Sequence, residues 1–98
     1  MRPEGRDDGI VRRRVTVRGR VQGVGFRMSC ARRAAEAGVA GWVRNTQAGD
    51  VEAVFEGPAP AVEAMVAWCR VGPPMAGVRD VQVSTGESPD GTTGFDVR

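Results

Sequence analysis

Hydrophobic and polar positions alternate at the start of the chain and then change period. Valines 11, 15 and 17 alternate with Arg14, Thr16 and Arg18, and a period of two is typical of a β-strand with one buried face. A glycine-rich loop follows at residues 19–25. Beyond it the apolar positions recur every three or four residues and predict an amphipathic helix that Gly38 ends. The apolar side of this helix is formed by Phe26, Cys30, Ala34 and Ala37.

The rest of the chain predicts a hairpin, a second helix and one or two further strands. Residues 39–46 and 50–56 predict two strands joined by a turn that contains Gly49. A helix opened by Pro58 and Pro60 follows, and residues 72–74 end it. Residues 78–84 predict a fourth strand, and residues 95–97 predict a possible short fifth strand. The apolar side of the second helix is formed by Val62, Met65, Val66 and Cys69.

The order β-α-β-β-α-β predicts an α+β fold, a ferredoxin-like split βαβ sandwich with an antiparallel sheet and two helices on one face. A chain of 98 residues forms one domain. We expect that domain to span residues 10–98, after a flexible N-terminal tail at residues 1–9. The first two strands should be parallel, with the third between them. The loop at residues 19–25 and residues 44–46 should therefore lie roughly 10 Å apart, two strand spacings, at one edge of the sheet.

Composition removes most of the usual catalytic groups. All fourteen basic residues are arginine, and the chain has no lysine and no histidine. Without histidine there is no Ser-His-Asp triad and no His-ligated zinc, and without lysine there is no Walker-A loop and no Schiff base. An enzyme built from this chain would use arginine, asparagine, carboxylates, hydroxyls and backbone amides.

The two cysteines and the absence of long apolar runs favour a cytoplasmic protein. Cys30 and Cys69 are too few for a disulfide scaffold or a cysteine-rich metal site, and we expect buried free thiols. A Cys-based phosphatase would need an arginine shortly after the cysteine, where Glu36 and Met75 stand instead. No apolar run approaches about 18 residues, so no membrane segment is expected.

Arg27 breaks a local rule of helix formation. The first turn of a helix favours acidic residues, because its free N–H groups carry partial positive charge, yet the first charged residue here is a cation. A bound anion, held by the guanidinium and the amides of the glycine loop, would explain this arrangement. Residues 1–44 also hold eleven arginines against four acidic residues, which favours an anionic partner. Alternatively, the glycines only form a tight turn and Arg27 points to solvent.

Three blocks of sequence resemble the acylphosphatase family. They are Val17-Arg-Gly-Arg-Val-Gln-Gly-Val-Gly-Phe-Arg27, Gly41-Trp-Val-Arg-Asn45-Thr46 and Gly49-Asp-Val-Glu52. The similarity extends over roughly residues 11–98. The resemblance implies the same ferredoxin-like fold and a metal-independent hydrolase, without cofactors. Its substrates would be acyl phosphates, which it would split into carboxylate and inorganic phosphate.

The resemblance also implies a role for each residue of the site. Arg27 would clamp the phosphoryl group, and Asn45 would hold the attacking water through its side-chain amide. No metal is expected. Apart from the resemblance, Thr46 is a candidate to order the site, although a hydroxyl at a strand end usually bonds only local backbone. The phosphoryl oxygens would be held by the backbone amides of Val21, Gln22, Gly23, Val24, Gly25 and Phe26.

Other interpretations stay open. An acylphosphatase-like domain can serve as a non-catalytic phosphate-binding or regulatory module inside a larger carbamoyl-transfer protein. Sheets of this topology can also bind RNA through exposed aromatic residues, but this chain has no tyrosine and its three phenylalanines are expected in the core. We expect a monomer that binds a small acyl phosphate and no nucleic acid. Trp42 should pack on the strand surface, or else stack on the acyl group. Residues 12–14 should form a solvated strand edge, or else steer anions.

Overall fold

The computed structural model describes residues 9–98, which form one five-stranded sheet and two helices. The predicted flexible tail covers residues 1–9, of which residues 1–8 lie outside the described part. The strands are β1 (Ile10–Arg20), β2 (Ala40–Asn45), β3 (Val51–Pro58), β4 (Gly77–Ser84) and β5 (Phe95–Val97), and the helices are α1 (Phe26–Ala37) and α2 (Ala59–Cys69). These bounds differ from the predicted ones by a few residues at most.

The strand order across the sheet is β4-β1-β3-β2-β5. β3 lies between β1 and β2 and is antiparallel to both, so β1 and β2 are parallel and end at the same edge. The predicted ferredoxin-like fold is therefore confirmed. β5 exists as predicted and pairs in parallel with β2. This parallel pair makes an otherwise antiparallel sheet mixed, because the chain crosses from β4 at one edge to β5 at the other.

Both helices bury their apolar residues against one face of the sheet. Phe26, Cys30 and Ala34 of α1 pack in one cluster with the predicted apolar residues of α2 and with the inward side chains of the strands. Ala37 was expected on the buried side of α1, and this is wrong because Ala37 is exposed. Gly38 ends α1 in a left-handed conformation, and Val39 fills the core beyond it.

Both helices lie on one face of the sheet, and the opposite face is called the open face below. β1 is an inner strand of this sheet, between β4 and β3. The expectation that residues 12–14 form a solvated strand edge is wrong, because these residues pair with β3 and the segment after β4 contacts Arg12 and Arg14. The Arg12 side chain is only 11% exposed and pairs with Glu56 of β3 and with Glu87 of the segment that follows β4. The register of β1 with β3 places Arg12 opposite Glu56, so this arginine pairs with carboxylates instead of pointing into solvent.

Candidate active site

The loop between β1 and α1 is shaped by glycines at two positions that need them. Gly23 and Gly25 have φ values of 76° and 79°, a left-handed backbone conformation that residues with a side chain rarely adopt. A Cβ atom at either position would have no heavy atom within 4 Å, so backbone conformation and not packing requires glycine. Gly25 is the N-cap of α1, which has no side-chain cap and no acidic residue in its first turn. The free amides of this helix end therefore lack a negative partner from the cap or the first turn.

A small cavity of about 110 Å³ lies between this loop and the end of β2. Of the predicted site, it brings together Arg27, Asn45 and much of the loop. Gln22 and Val24 are not among its lining residues. The cavity is lined by Val21, Gly23, Gly25, Phe26, Arg27, Met28 and Asn45.

Gln22 points toward the turn between β2 and β3 instead. Its side-chain nitrogen donates to the carbonyl oxygen of Thr46 at 2.8 Å and to that of Asp50 at 2.9 Å. The Thr46 hydroxyl accepts from the main-chain N–H of Asp50 at 3.2 Å, so Thr46 orders the turn that follows Asn45. Among the described residues, no group hydrogen-bonds to the Asn45 side-chain amide, which leaves that amide open to a ligand.

The Arg27 side chain reaches from α1 to the end of β5. Its Nη1 donates to the main-chain oxygen of Arg98 at 2.9 Å, and the N–H of Arg98 donates to the Val43 carbonyl of β2 at 2.8 Å. Within residues 9–98, no Asp or Glu side chain forms an ion pair with Arg27. A guanidinium has five N–H donors, so most of them remain for an anion beside Asn45.

A larger cleft of about 600 Å³ adjoins the small cavity and shares Arg27 and Asn45 with it. The remaining lining residues belong to the open face of the sheet and to the residue after β5. These residues are Arg14, Trp42, Arg44, Glu52 and Arg98.

The carboxylate of Glu52 in this cleft is held in its charged form. Burial raises the pKa of Glu52, but hydrogen bonds from Arg44 and Arg14 outweigh burial and lower that pKa below the ordinary value.

A buried carboxylate anchors the chain that crosses the open face. Glu56 is 5% exposed and accepts hydrogen bonds from Arg12 and from the main-chain N–H groups of Asp90, Gly91 and Thr92. Burial raises its pKa, but the N–H of Asp90 and the Arg12 guanidinium bring it below the ordinary value. Sequence reasoning did not find this cluster, because its partners are 34 to 44 residues apart in the chain.

The two cysteines are buried and free, as their sequence pattern predicts. A hydrogen bond with the Cys69 thiol, together with burial, raises the pKa of the Cys30 thiol far above its usual range. At neutral pH Cys30 is therefore a neutral thiol in the core, without the thiolate that nucleophilic catalysis needs.

Two kinds of feature are missing from residues 9–98. This part of the chain holds no group of three or more His, Cys, Asp or Glu side chains placed to bind a metal ion. None of its helices combines the length and the apolar character needed to cross a membrane.

Comparison with known proteins gives the family. The family model described as Acylphosphatase matches residues 13–97, nearly the whole described region. The chain belongs to the acylphosphatase family. The acylphosphatase of Trichormus variabilis is 54% identical over 89 residues, which cover 91% of this chain and 87% of the relative.

Solved acylphosphatase structures have the same architecture. The acylphosphatase of Coxiella burnetii superposes with a TM-score of 0.86 at 37% identity, covering 94% of this chain and 96% of its own. T. kodakarensis HypF contains a similar region, with a TM-score of 0.76 at 28% identity over 88% of this chain and 11% of HypF. The predictions of an acylphosphatase-family enzyme and of its fold are confirmed, whereas the roles of individual residues remain predictions.

Proposed function

We propose that this acylphosphatase hydrolyses the carboxyl–phosphate anhydride of acyl phosphates by direct attack of water on phosphorus. The observation that carries this mechanism is the convergence of Arg27, Asn45 and the β1–α1 loop on one small cavity. The cavity opens beside the larger cleft, and Arg27 and Asn45 border both. A substrate could place its phosphoryl group in the first and its acyl part in the second, with the scissile bond between them.

The phosphoryl group is held by hydrogen-bond donors. Backbone N–H groups of residues 21–26 and the free helix N-terminus supply positive partial charge without a bound cation. Arg27 adds a full charge and a planar set of donors that matches two phosphate oxygens. Within residues 9–98, Arg27 uses one of its donors for the Arg98 main-chain oxygen and forms no ion pair with an Asp or Glu side chain, so its other donors are available to the phosphoryl group.

Asn45 positions the attacking water. The water oxygen forms a bond to phosphorus while the bond from phosphorus to the acyl oxygen breaks, and the carboxylate leaves with the bonding electron pair. The proton of the water passes to a phosphoryl oxygen of the substrate, so no protein base is required and no phosphoenzyme forms. Phosphoryl transfer mainly needs in-line positioning and charge stabilisation, which this site can supply.

Phosphate release from benzoyl phosphate in the presence of EDTA tests the proposal. We expect metal-independent turnover by the wild type and a loss of about 10²–10³-fold in kcat for Asn45→Ala, the scale of one lost aligned donor. Gln47→Ala, which removes an exposed amide from the same turn, is the matched control and should keep wild-type turnover. In ¹⁸O-labelled water the label should appear in phosphate and not in benzoate.

The alternative is a phosphate-binding module without turnover. The larger HypF protein contains a region with the same architecture as this chain. A folded wild type that binds phosphate but releases none from benzoyl phosphate would favour this alternative. Full turnover by Asn45→Ala would support the hydrolase and show that Asn45 has no role in its mechanism.

The proposal includes a cytoplasmic monomer that acts without nucleic acid. Free, buried cysteines fit a reducing compartment. Phe26 and Phe55 are buried on the helix side of the sheet, so they cannot stack on RNA bases. Cell fractionation, sedimentation and a gel-shift assay test these three statements.

A further inference from the structure

The large cleft beside the proposed phosphoryl site carries an excess of positive charge. Four arginines line it together with one carboxylate, that of Glu52. An excess of this kind is costly for a site that receives only neutral acyl groups, because like charges repel one another in partly buried surroundings. The excess therefore points to a second anionic group on the ligand, beyond the phosphoryl group.

Two of the four arginines already have carboxylate partners. Arg44 donates to Glu52 through Nε at 2.8 Å and approaches the same oxygen through Nη2 at 2.6 Å. Arg14 pairs with the other oxygen of Glu52 at 3.0 Å and with Glu87 at 2.6 Å. Glu52 and Glu87 therefore balance these two cations, and Arg27 serves the phosphoryl group.

Arg98 is the remaining cation of the cleft. Among residues 9–98, no Asp or Glu side chain pairs with it. Asp96 lies opposite Trp42 in the β2–β5 pairing but is not within ion-pair distance of Arg98. The Arg98 guanidinium lies 4.7 Å from the centre of the Trp42 ring. A guanidinium placed beside a ring in this way keeps N–H donors that can bind a carboxylate.

We propose that the cleft receives the acyl part of the substrate and that Arg98 binds a second carboxylate on it. The preferred substrates are then monophosphorylated dicarboxylic acids. This inference rests on the proposed function, since it assumes that the phosphoryl group occupies the small cavity. Among residues 9–98, one cation of the cleft lacks a carboxylate partner, which matches one distal carboxylate on the ligand.

Two para-substituted benzoyl phosphates test the inference, one with a carboxylate and one with a methyl group. The rigid ring keeps the second carboxylate away from the anhydride. We expect the wild type to favour the carboxylate compound about fivefold in kcat/KM, the scale of one partly exposed ion pair. The preference should appear mainly in KM, because the distal group is bound equally well before and during the reaction.

Arg98→Gln should bring the ratio of the two kcat/KM values close to one. The control is Arg79→Gln, which removes the same charge from an exposed position of β4 and should keep the wild-type ratio. Equal ratios in the wild type and Arg98→Gln, or an equal loss in Arg79→Gln, would overturn the subsite while leaving the hydrolase intact. Hydrolysis of neither compound would overturn the proposed function itself.

Discussion

The side-chain nitrogen of Gln22 lies 2.8 Å from the main-chain oxygen of Thr46, the residue that directly follows Asn45. The same nitrogen donates to Asp50 at 2.9 Å. These two bonds hold the loop after β1 against the turn after β2. They fix the distance between the proposed phosphate donors and the proposed water-binding residue, although Gln22 itself does not line the small cavity.

Gln22→Glu should separate the two halves of the site without changing the size of the side chain. A carboxylate cannot donate to two carbonyl oxygens and is repelled by them, so the loop should shift. We expect kcat to fall about 10- to 100-fold, as small displacements in an aligned site do.

Gln47→Glu adds the same charge to the same turn without that contact, and it should retain activity. Thermal melting curves of both variants distinguish misplacement from unfolding. A Gln22→Glu enzyme with wild-type kcat would show that the contact has no role in positioning.

Arg27→Ala should remove nearly all activity, with a loss of at least about 10²–10³-fold in kcat/KM. Arg27→Lys keeps the charge but loses the planar fork of donors, so it should recover only part of the rate. The inhibition constant for inorganic phosphate, measured in parallel, should rise in both variants.

Arg32→Ala removes an exposed cation from the same helix and controls for the change in net charge. Equal losses in Arg32→Ala and Arg27→Ala would assign the effect to long-range electrostatics instead of a clamp.

Glu56 should make stability depend on pH in the acid range. Its folded-state pKa lies below the ordinary value of 4.5, so the unfolded chain binds its proton first as the pH falls. The stabilisation by Glu56 is complete above pH 4.5 and is lost as the pH falls through the lowered pKa. At pH 7, Glu56→Gln should lower the free energy of unfolding by about 1–3 kcal/mol, because it leaves Arg12 without its buried partner.

Denaturant unfolding at a series of pH values measures this effect. The difference between the wild type and Glu56→Gln should shrink toward acid pH. Glu63→Gln, at an exposed position of α2, should show little difference at any pH. A constant difference between the wild type and Glu56→Gln from pH 7 to strong acid would contradict a depressed pKa.

Cys30 should be unreactive in the folded protein. Its hydrogen bond with Cys69 and its burial raise the pKa of the thiol, and the thiolate is the form that alkylating reagents attack. Iodoacetamide at neutral pH should leave activity intact and label the cysteines only after denaturation. Rapid inactivation of the native enzyme would point to an accessible thiol near the site.

The fold and the phosphate site are readable from sequence because their signals are local. A period of two in β1 and a period near four in the helices set the order of the elements, and that order limits the topology. The broken helix rule at Arg27 points to an anion without any structure. Asn45 carries no such local signal: the predicted topology places residues 44–46 near the loop, and the resemblance to acylphosphatases gives Asn45 its role.

The features that sequence reasoning missed depend on pairing between distant segments. Arg12 reads as a solvated residue in an arginine run, and only the register of β1 with β3 places it over Glu56. Arg98 belongs to the cleft because β5 pairs with β2, which a three-residue strand cannot reveal by its own pattern. Ala37 fits the helical period, but the period does not show that Val39 fills the core instead.

The position of β3 between β1 and β2 also governs when the enzyme can first become active. Neither cavity exists until β1, α1 and the β2–β3 hairpin have come together. Bringing these elements together closes long stretches of chain, which costs conformational entropy before the contacts that offset this cost have formed. An isolated helix α1 lacks Asn45 of β2 and so cannot form the small cavity on its own. Recovery of catalysis therefore reports the assembly of β1, α1 and the β2–β3 hairpin.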